Sequence, residues 1–210
     1  FKSTNCGIDY VQIGTGLPAD VAVTTVMYDP ANPNRVFAGL VNGGVGNQPL
    51  YVSNDAGASF AATALSASGT VNRISFGVDG DLWAVVDSYD VFHSNDGGAT
   101  WTATGVYGVS VTADATQANR AWIASSAGVY RTDFDGSSYT HTPVFDGLTP
   151  NPSYTDPSEP VSAGARHLVF SSGATPRLFA TTEGSGIFKL DLAGTTWSPV
   201  AAAPAAAAIH

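Results

Sequence analysis

An all-β fold of repeated four-stranded units is what this sequence predicts, on three observations. An aromatic pair recurs five times in one register with a glycine: Phe1, Gly7 and Tyr10; Tyr51, Gly57 and Phe60; Phe92, Gly98 and Trp101; Tyr130, Gly136 and Tyr139; Phe188, Gly194 and Trp197. Each second aromatic lies nine residues after the first and three after the glycine. A second apolar stretch precedes the last four pairs: Arg35–Ala38, Asp81–Ala84, Arg120–Ile123 and Arg177–Ala180. No stretch shows helical periodicity, and the 23 Gly with 15 Asp against 2 Glu suit many tight turns. Successive second aromatics are 50, 41, 38 and 58 residues apart. Four strands in about 40–45 residues is the length of a propeller blade. The predicted fold is therefore four complete four-stranded antiparallel β-propeller blades plus a half blade, part of a larger propeller.

The strands follow in chain order as A to D. Strand A is read in Val23–Tyr28, Val71–Phe76, Val109–Thr112 and Arg166–Phe170. A turn such as 29–34 leads to strand B, the second apolar stretch. Strand C carries the first aromatic, and a glycine hairpin leads to strand D. A blade cannot bury both faces alone, so the aromatics of B, C and D are expected between blades. The blades are placed at about 1–13 (partial), 14–65, 66–105, 106–142 and 143–200, with an Ala/Pro-rich tail at 201–210. The first unit lacks A and B. Further blades, from the parent chain or another chain, are expected to complete it, because an open sheet edge invites aggregation.

The C–D hairpins repeat a polar pattern. Ser94, Asp96, Gly98 and Trp101 fit Ser-x-Asp-x-Gly-x-x-Trp; Ser53, Asp55, Gly57 and Phe60 fit it with Phe; Ser3, Asn5, Gly7 and Tyr10 fit it with Asn. The units with Gly136 and Tyr139 and with Gly194 and Trp197 keep only the glycine and the ring, with Phe134 and Leu192 in the place of Asp. The carboxylates could be metal ligands or catalytic acids. The alternative is that they accept backbone N–H groups and staple the turn while glycine takes positive φ. Recurrence in several blades favours the staple, since an active site occurs once.

This pattern resembles the Asp-box, or bacterial neuraminidase repeat. The wording of residues 28–38, 50–60, 80–84 and 92–101 is most similar to glycoside hydrolase family 74 (xyloglucanase) propellers. That resemblance implies a secreted, extracellular protein acting on a polysaccharide or glycan. It also implies two Asp residues as general acid and base in an inverting mechanism across a cleft between two propellers. Neither catalytic motif of that family matches a position here, so no catalytic residue is assigned. The leading reading is a segment of a xyloglucanase-like endo-β-glucanase. The alternative is a non-catalytic propeller that binds carbohydrate or protein. A sialidase is disfavoured, because Arg35, Arg120 and Arg177 fall at one repeat position, where a structural role is expected.

Ligands of such relatives bind the face carrying the B–C and D–A loops, where two loops are long: 42–49 and 143–165. The second holds Asp146, Tyr154, Asp156 and Glu159. Rings near carboxylates suit sugar recognition, against the favoured reading of a solvated insertion. Asp87, Tyr89 and Asp90 in a shorter B–C loop, and Glu183 in the last one, are the other candidates, against the reading of a polar turn. A net charge of −9 with 8 Lys+Arg argues against nucleic acid and against an anionic membrane surface. No stretch is apolar for long enough to insert in a membrane. No cofactor is expected, and no metal, since His93, His141 and His167 are dispersed over different blades. Cys6 stands alone, so it pairs outside this sequence or stays a free thiol.

Overall fold

A computed structural model describes residues 1–41, 46–87, 90–148, 164–182 and 185–200. Four four-stranded antiparallel sheets follow one another along the chain. The first comprises β1 (Val23–Asp29), β2 (Asn32–Leu40), β3 (Leu50–Ser53) and β4 (Ala61–Ala62). The second comprises β5 (Val71–Phe76), β6 (Leu82–Val86), β7 (Asp90–Ser94) and β8 (Thr102–Ala103). The third comprises β9 (Ser110–Ala113), β10 (Arg120–Ser125), β11 (Gly128–Phe134) and β12 (Tyr139–Pro143). The fourth comprises β13 (Ala165–Ser171), β14 (Arg177–Thr182), β15 (Gly186–Asp191) and β16 (Ser198–Pro199). Each sheet pairs its strands in chain order, as propeller blades do. The half blade is one antiparallel bridge, Lys2 to Val11.

One turn is tighter than the sequence suggests. Residues 32–34 extend into β2 instead of turning, and the register slips between Tyr28 and Asp29. Pro33 has no N–H to give a ladder, so the slip falls beside it.

Backbone bonds tie the loops at both ends of the sheets. At one end the C–D hairpin donates a backbone N–H to the A–B turn in all four sheets: Ala56 to Asn34, Gly97 to Gly80, Phe134 to Asn119 and Leu192 to Pro176, at 2.7–3.1 Å. At the other end Val41 donates to Ala22 and Asp87 to Thr70, joining B–C to D–A connections. The two kinds of loop thus occupy opposite faces.

Neighbouring A strands pack side by side around an axis, β1 on β5, β5 on β9 and β9 on β13. Side-chain hydroxyls stitch them. Thr24 donates to the Val71 carbonyl (2.6 Å), Ser75 accepts from the Ala113 N–H (2.9 Å), and Ser110 accepts from the Leu168 N–H (3.2 Å). Apolar cores fill the three blade interfaces. Phe37 and Leu50 meet Ile74 and Leu82; Trp83 and Val91 meet Val111 and Ile123; Trp122 and Val129 meet Leu168 and Trp197. The rings of B, C and D are therefore inter-blade core.

The first sheet departs from this. Val26 and Ile74 hold equivalent positions, opposite Ala38 and Ala84. Ile74 is 1% exposed and Val26 is 61% exposed. Val23, Val26, Tyr28 and Val36 instead line an open apolar cavity of about 500 Å³, with Phe1, Ile13 and Phe60.

Candidate functional site

The hairpins come first, because their polar residues are the most conspicuous in the sequence. Ser53 Oγ donates to Asp55 Oδ1 (2.7 Å) and accepts from the Gly57 N–H (2.8 Å). Asp55 then accepts from the N–H (2.8 Å) and hydroxyl (2.5 Å) of Ser59. Ser94, Asp96, Gly98 and Thr100 repeat these four bonds within 0.1 Å. Ser3, Asn5 and Gly7 form the same frame with an amide, Asn5 Oδ1 accepting from the Asp9 N–H. Gly7, Gly57 and Gly98 take φ between 85° and 90°, where a side chain is strained. Phe60 and Trp101 face the preceding blade, as do Tyr139 and Trp197. Tyr10 is exposed.

The degenerate copies use other devices. In the third sheet Asp135, one position beyond Phe134, accepts from the N–H and hydroxyl groups of both Ser137 and Ser138, and Gly136 takes φ 100°. A carboxylate cap thus survives there, displaced by one residue, and an Asp-Gly-Ser-Ser turn was the signal for it. Gly194 differs: it is not among the positive-φ glycines, and its N–H donates to the Asp191 carbonyl (2.8 Å).

These bonds acidify the carboxylates. The Ser59 hydroxyl, then its N–H, then the Ser53 hydroxyl hold Asp55 down at about 2. Burial pushes Asp96 upward, but the Thr100 hydroxyl and N–H and the Ser94 hydroxyl outweigh it and hold it at about 2. The N–H groups of Ser138 and Ser137 hold Asp135 well below the usual carboxylate range. A depressed carboxylate adds stability that is fully present above its unfolded value of about 4 and is lost as pH falls toward 2. Thermal midpoints of the native protein should therefore fall between pH 4 and pH 2 more steeply than those of an Asp55→Asn/Asp96→Asn variant. Equal slopes would show that the bonds do not couple to folding. Both carboxylates are engaged by their own turns, on the face away from the B–C loops.

The B–C and D–A face holds the other candidates. Asp90 begins β7, and its carboxylate accepts from the Thr104 hydroxyl and from the N–H groups of Gly105 and Val106, at 3.0–3.1 Å. It clasps the chain leaving strand D. Asp87 follows β6 and accepts from the Asn72 side-chain amide. Asp146 is exposed on a turn, and its backbone carbonyl accepts the Trp197 N–H (2.7 Å). Gly147 beside it has φ 88°, and a Cβ there would lie 2.1 Å from the Trp197 carbonyl oxygen. Thr15 and Gly16 hold Phe60 in the same way. The backbone at Asp146 thus ties the D–A connection to the start of strand D in the fourth sheet. Tyr89, Tyr154, Asp156, Glu159 and Glu183 lie outside the described residues.

The repeat position of Arg35, Arg120 and Arg177 is structural: these pair with Asp29, Asp133 and Asp191. The second blade has Asp81 there, and that aspartate is buried. His93 Nε2 lies 2.6 Å from Asp81 Oδ1, and Trp83 Nε1–H donates to Oδ2 (2.9 Å). The His93 ring stacks on Trp83 at 4.0 Å, and its Nδ1 meets the Tyr139 hydroxyl at 3.0 Å. Burial pushes the Tyr139 hydroxyl up to about 12, so it stays a donor. Sequence reasoning missed this network. Its one signal was an aspartate where the other blades carry arginine. Among the described residues no group of three or more His, Cys, Asp or Glu could hold a metal ion.

No family model matches the sequence, and no curated protein matches it. Solved β-propellers do. The "Cps50 (Swd1) beta-propeller domain" of Myceliophteria thermophila has a TM-score of 0.66 and 11% identity, over 89% of this chain and 60% of that one. An "ancestral GH74 enzyme" has a TM-score of 0.61 and 19% identity, over 89% of this chain and 26% of that one. "YCF48 bound to D1 peptide" has a TM-score of 0.57 and 18% identity, over 88% of this chain and 56% of that one. At these identities the likeness is one of fold. The chain spans between about a quarter and three-fifths of the length of these neighbours.

Proposed function

We propose that this chain is a segment of a non-catalytic, glycan-binding β-propeller whose ligand lies on the B–C and D–A face. One observation carries the reading. Asp87 and Asp90, the described carboxylates at the B–C loop of the second blade, are both engaged by the fold, Asp87 by Asn72 and Asp90 by Thr104, Gly105 and Val106. A glycosidase needs two carboxyl groups with oxygens facing the scissile bond, about 6.5–9.5 Å apart for inversion. Both oxygens of Asp90 fasten the chain that leaves strand D, so they do not face a bound sugar as an acid–base pair requires.

The second reading is a xyloglucanase-like endo-β-glucanase. The Ser-Asn-Asp hairpins, taken as Asp-boxes, and the likeness to GH74 propellers favour it. In either case we read the protein as extracellular, with blade limits near 14, 66, 106 and 143 and a tail from 201. Further blades, from the same or another chain, would cover Val26, whose equivalents Ile74, Val111 and Leu168 in the other sheets are buried.

The test uses the natural full-length polypeptide with xyloglucan, mixed-linkage β-glucan and polygalacturonate. Retarded migration in gels containing a polysaccharide, without new reducing ends, is expected. Release of reducing ends would replace binding with hydrolysis. Neither retardation nor release would remove the glycan and leave a protein ligand.

A further inference from the structure

The A strands of three blades share an irregularity close to their first residues. The register slips between Val23 and Thr25 in β1, between Val71 and Arg73 in β5, and between Ala165 and His167 in β13. Arg73 and His167 are the equivalent residues just after the slip, opposite Val85 and Thr181. They belong to blades with another blade between them, yet Arg73 Nη1 lies 3.2 Å from His167 Nδ1. Two basic side chains 94 residues apart therefore meet across the axis, at the end where the D–A loops enter.

This pairing is unusual for the chain. Arg35, Arg120, Arg131 and Arg177 each take an aspartate. Arg73 takes a histidine, and no carboxylate among the described residues reaches it. Asp87, from the neighbouring loop, is engaged by Asn72 instead. Arginine has only donors, so His167 Nδ1 accepts and its proton sits on Nε2. One of the five Arg73 N–H donors is thereby occupied, and the imidazole is oriented with a donor to spare. Partial burial acts on the guanidinium and lowers its pKa. A half-buried cation that no carboxylate among the described residues neutralises, in a chain of net charge −9, is a place where a ligand anion gains and the rest of the surface repels.

We propose that the Arg73–His167 pair on this face binds the carboxylate of an acidic glycan, a uronate residue. Arg73 supplies the planar fork that grips both carboxylate oxygens. His167 Nδ1 holds that fork in place, and its Nε2–H is a second donor to the sugar. The proposal rests on the reading that this face binds a glycan, and it names the chemistry that selects the ligand.

The probes are sodium glucuronate, glucose and acetate, titrated into the native protein and followed by the Arg73 Nε–H resonance and by calorimetry. Glucuronate should shift the resonance. Glucose should not, and acetate, which has the carboxylate without the ring, should bind about ten-fold more weakly. Arg73→Gln should lower glucuronate affinity about ten-fold or more, the loss of charge-assisted hydrogen bonds. Melting curves confirm that the variant folds, and Arg73→Lys, which keeps charge without the fork, should recover only part of the affinity. Glucose binding as tightly as glucuronate, acetate equal to glucuronate, or unchanged affinity in Arg73→Gln would each overturn the assignment. Retardation by xyloglucan together with silence toward glucuronate would overturn it while leaving the glycan-binding reading intact.

Discussion

Replacing Asp81 with alanine is expected to destabilise the protein by about 3–5 kcal/mol, the cost of removing one partner of a buried pair. Asp81 and His93 are each 2% exposed, so water cannot substitute for the lost oxygens. The change leaves the Trp83 indole N–H and His93 Nε2 without their acceptor, and each buried orphan is costly. The stack of His93 on Trp83 loses its anchor as well, and with it the seat of the Tyr139 ring from the third blade. Asp81→Asn keeps one acceptor oxygen and should lose markedly less. Urea midpoints measure both. An alanine variant within about 1 kcal/mol of the native protein, the level of an ordinary hydrogen bond, would mean that the network does not hold the two blades together.

Phe37→Ala is expected to have an effect of similar size, about 3–5 kcal/mol, for a different reason. Phe37 is fully buried at the first blade interface, edge-on to Phe76 at 5.8 Å. Gly98 from the next blade's hairpin presses on it so closely that a Cβ there would lie 3.2 Å from the ring. The loss is a cavity that the hairpin's fixed backbone cannot fill. Phe179 holds the equivalent place in the last sheet but is only partly buried, so Phe179→Ala should lose less, in proportion to the area removed from water. Apolar cores join only neighbouring blades, so hydrogen exchange in Phe37→Ala should rise in β1 to β8 before it rises in β13 to β16. Equal losses for Phe37 and Phe179, or uniform exchange, would contradict this account.

Much of the fold was legible because its signals are local and repeated. Ser94, Asp96 and Gly98 close a turn among themselves, and the same three residue types at 53, 55 and 57 close an equivalent one. The candidate site was legible only as a face. Asp87 and Asp90 read either as site candidates or as a polar turn, and what decides their role is Asn72 and residues 104–106, which sequence distance hides. Arg73 drew no notice because nothing near it in the chain marks it. The arginines at the repeat position were read as structural, and each takes an aspartate: Arg120 and Arg177 the one opposite on strand C, Arg35 the one that ends β1.

The amino-acid order by itself determined the units: which residues form each four-stranded sheet, where each hairpin turns, and which rings lie between blades. Those properties depend on contacts inside a unit of some forty residues, repeated in register, and a repeated local pattern survives in one dimension. The tertiary structure decided which polar groups meet. It brought Asp81 to His93 and Tyr139, Asp146's carbonyl to Trp197, and Arg73 to His167 across an intervening blade. Each of those meetings depends on how far one sheet rotates against the next, and that angle is set by packing summed over whole interfaces.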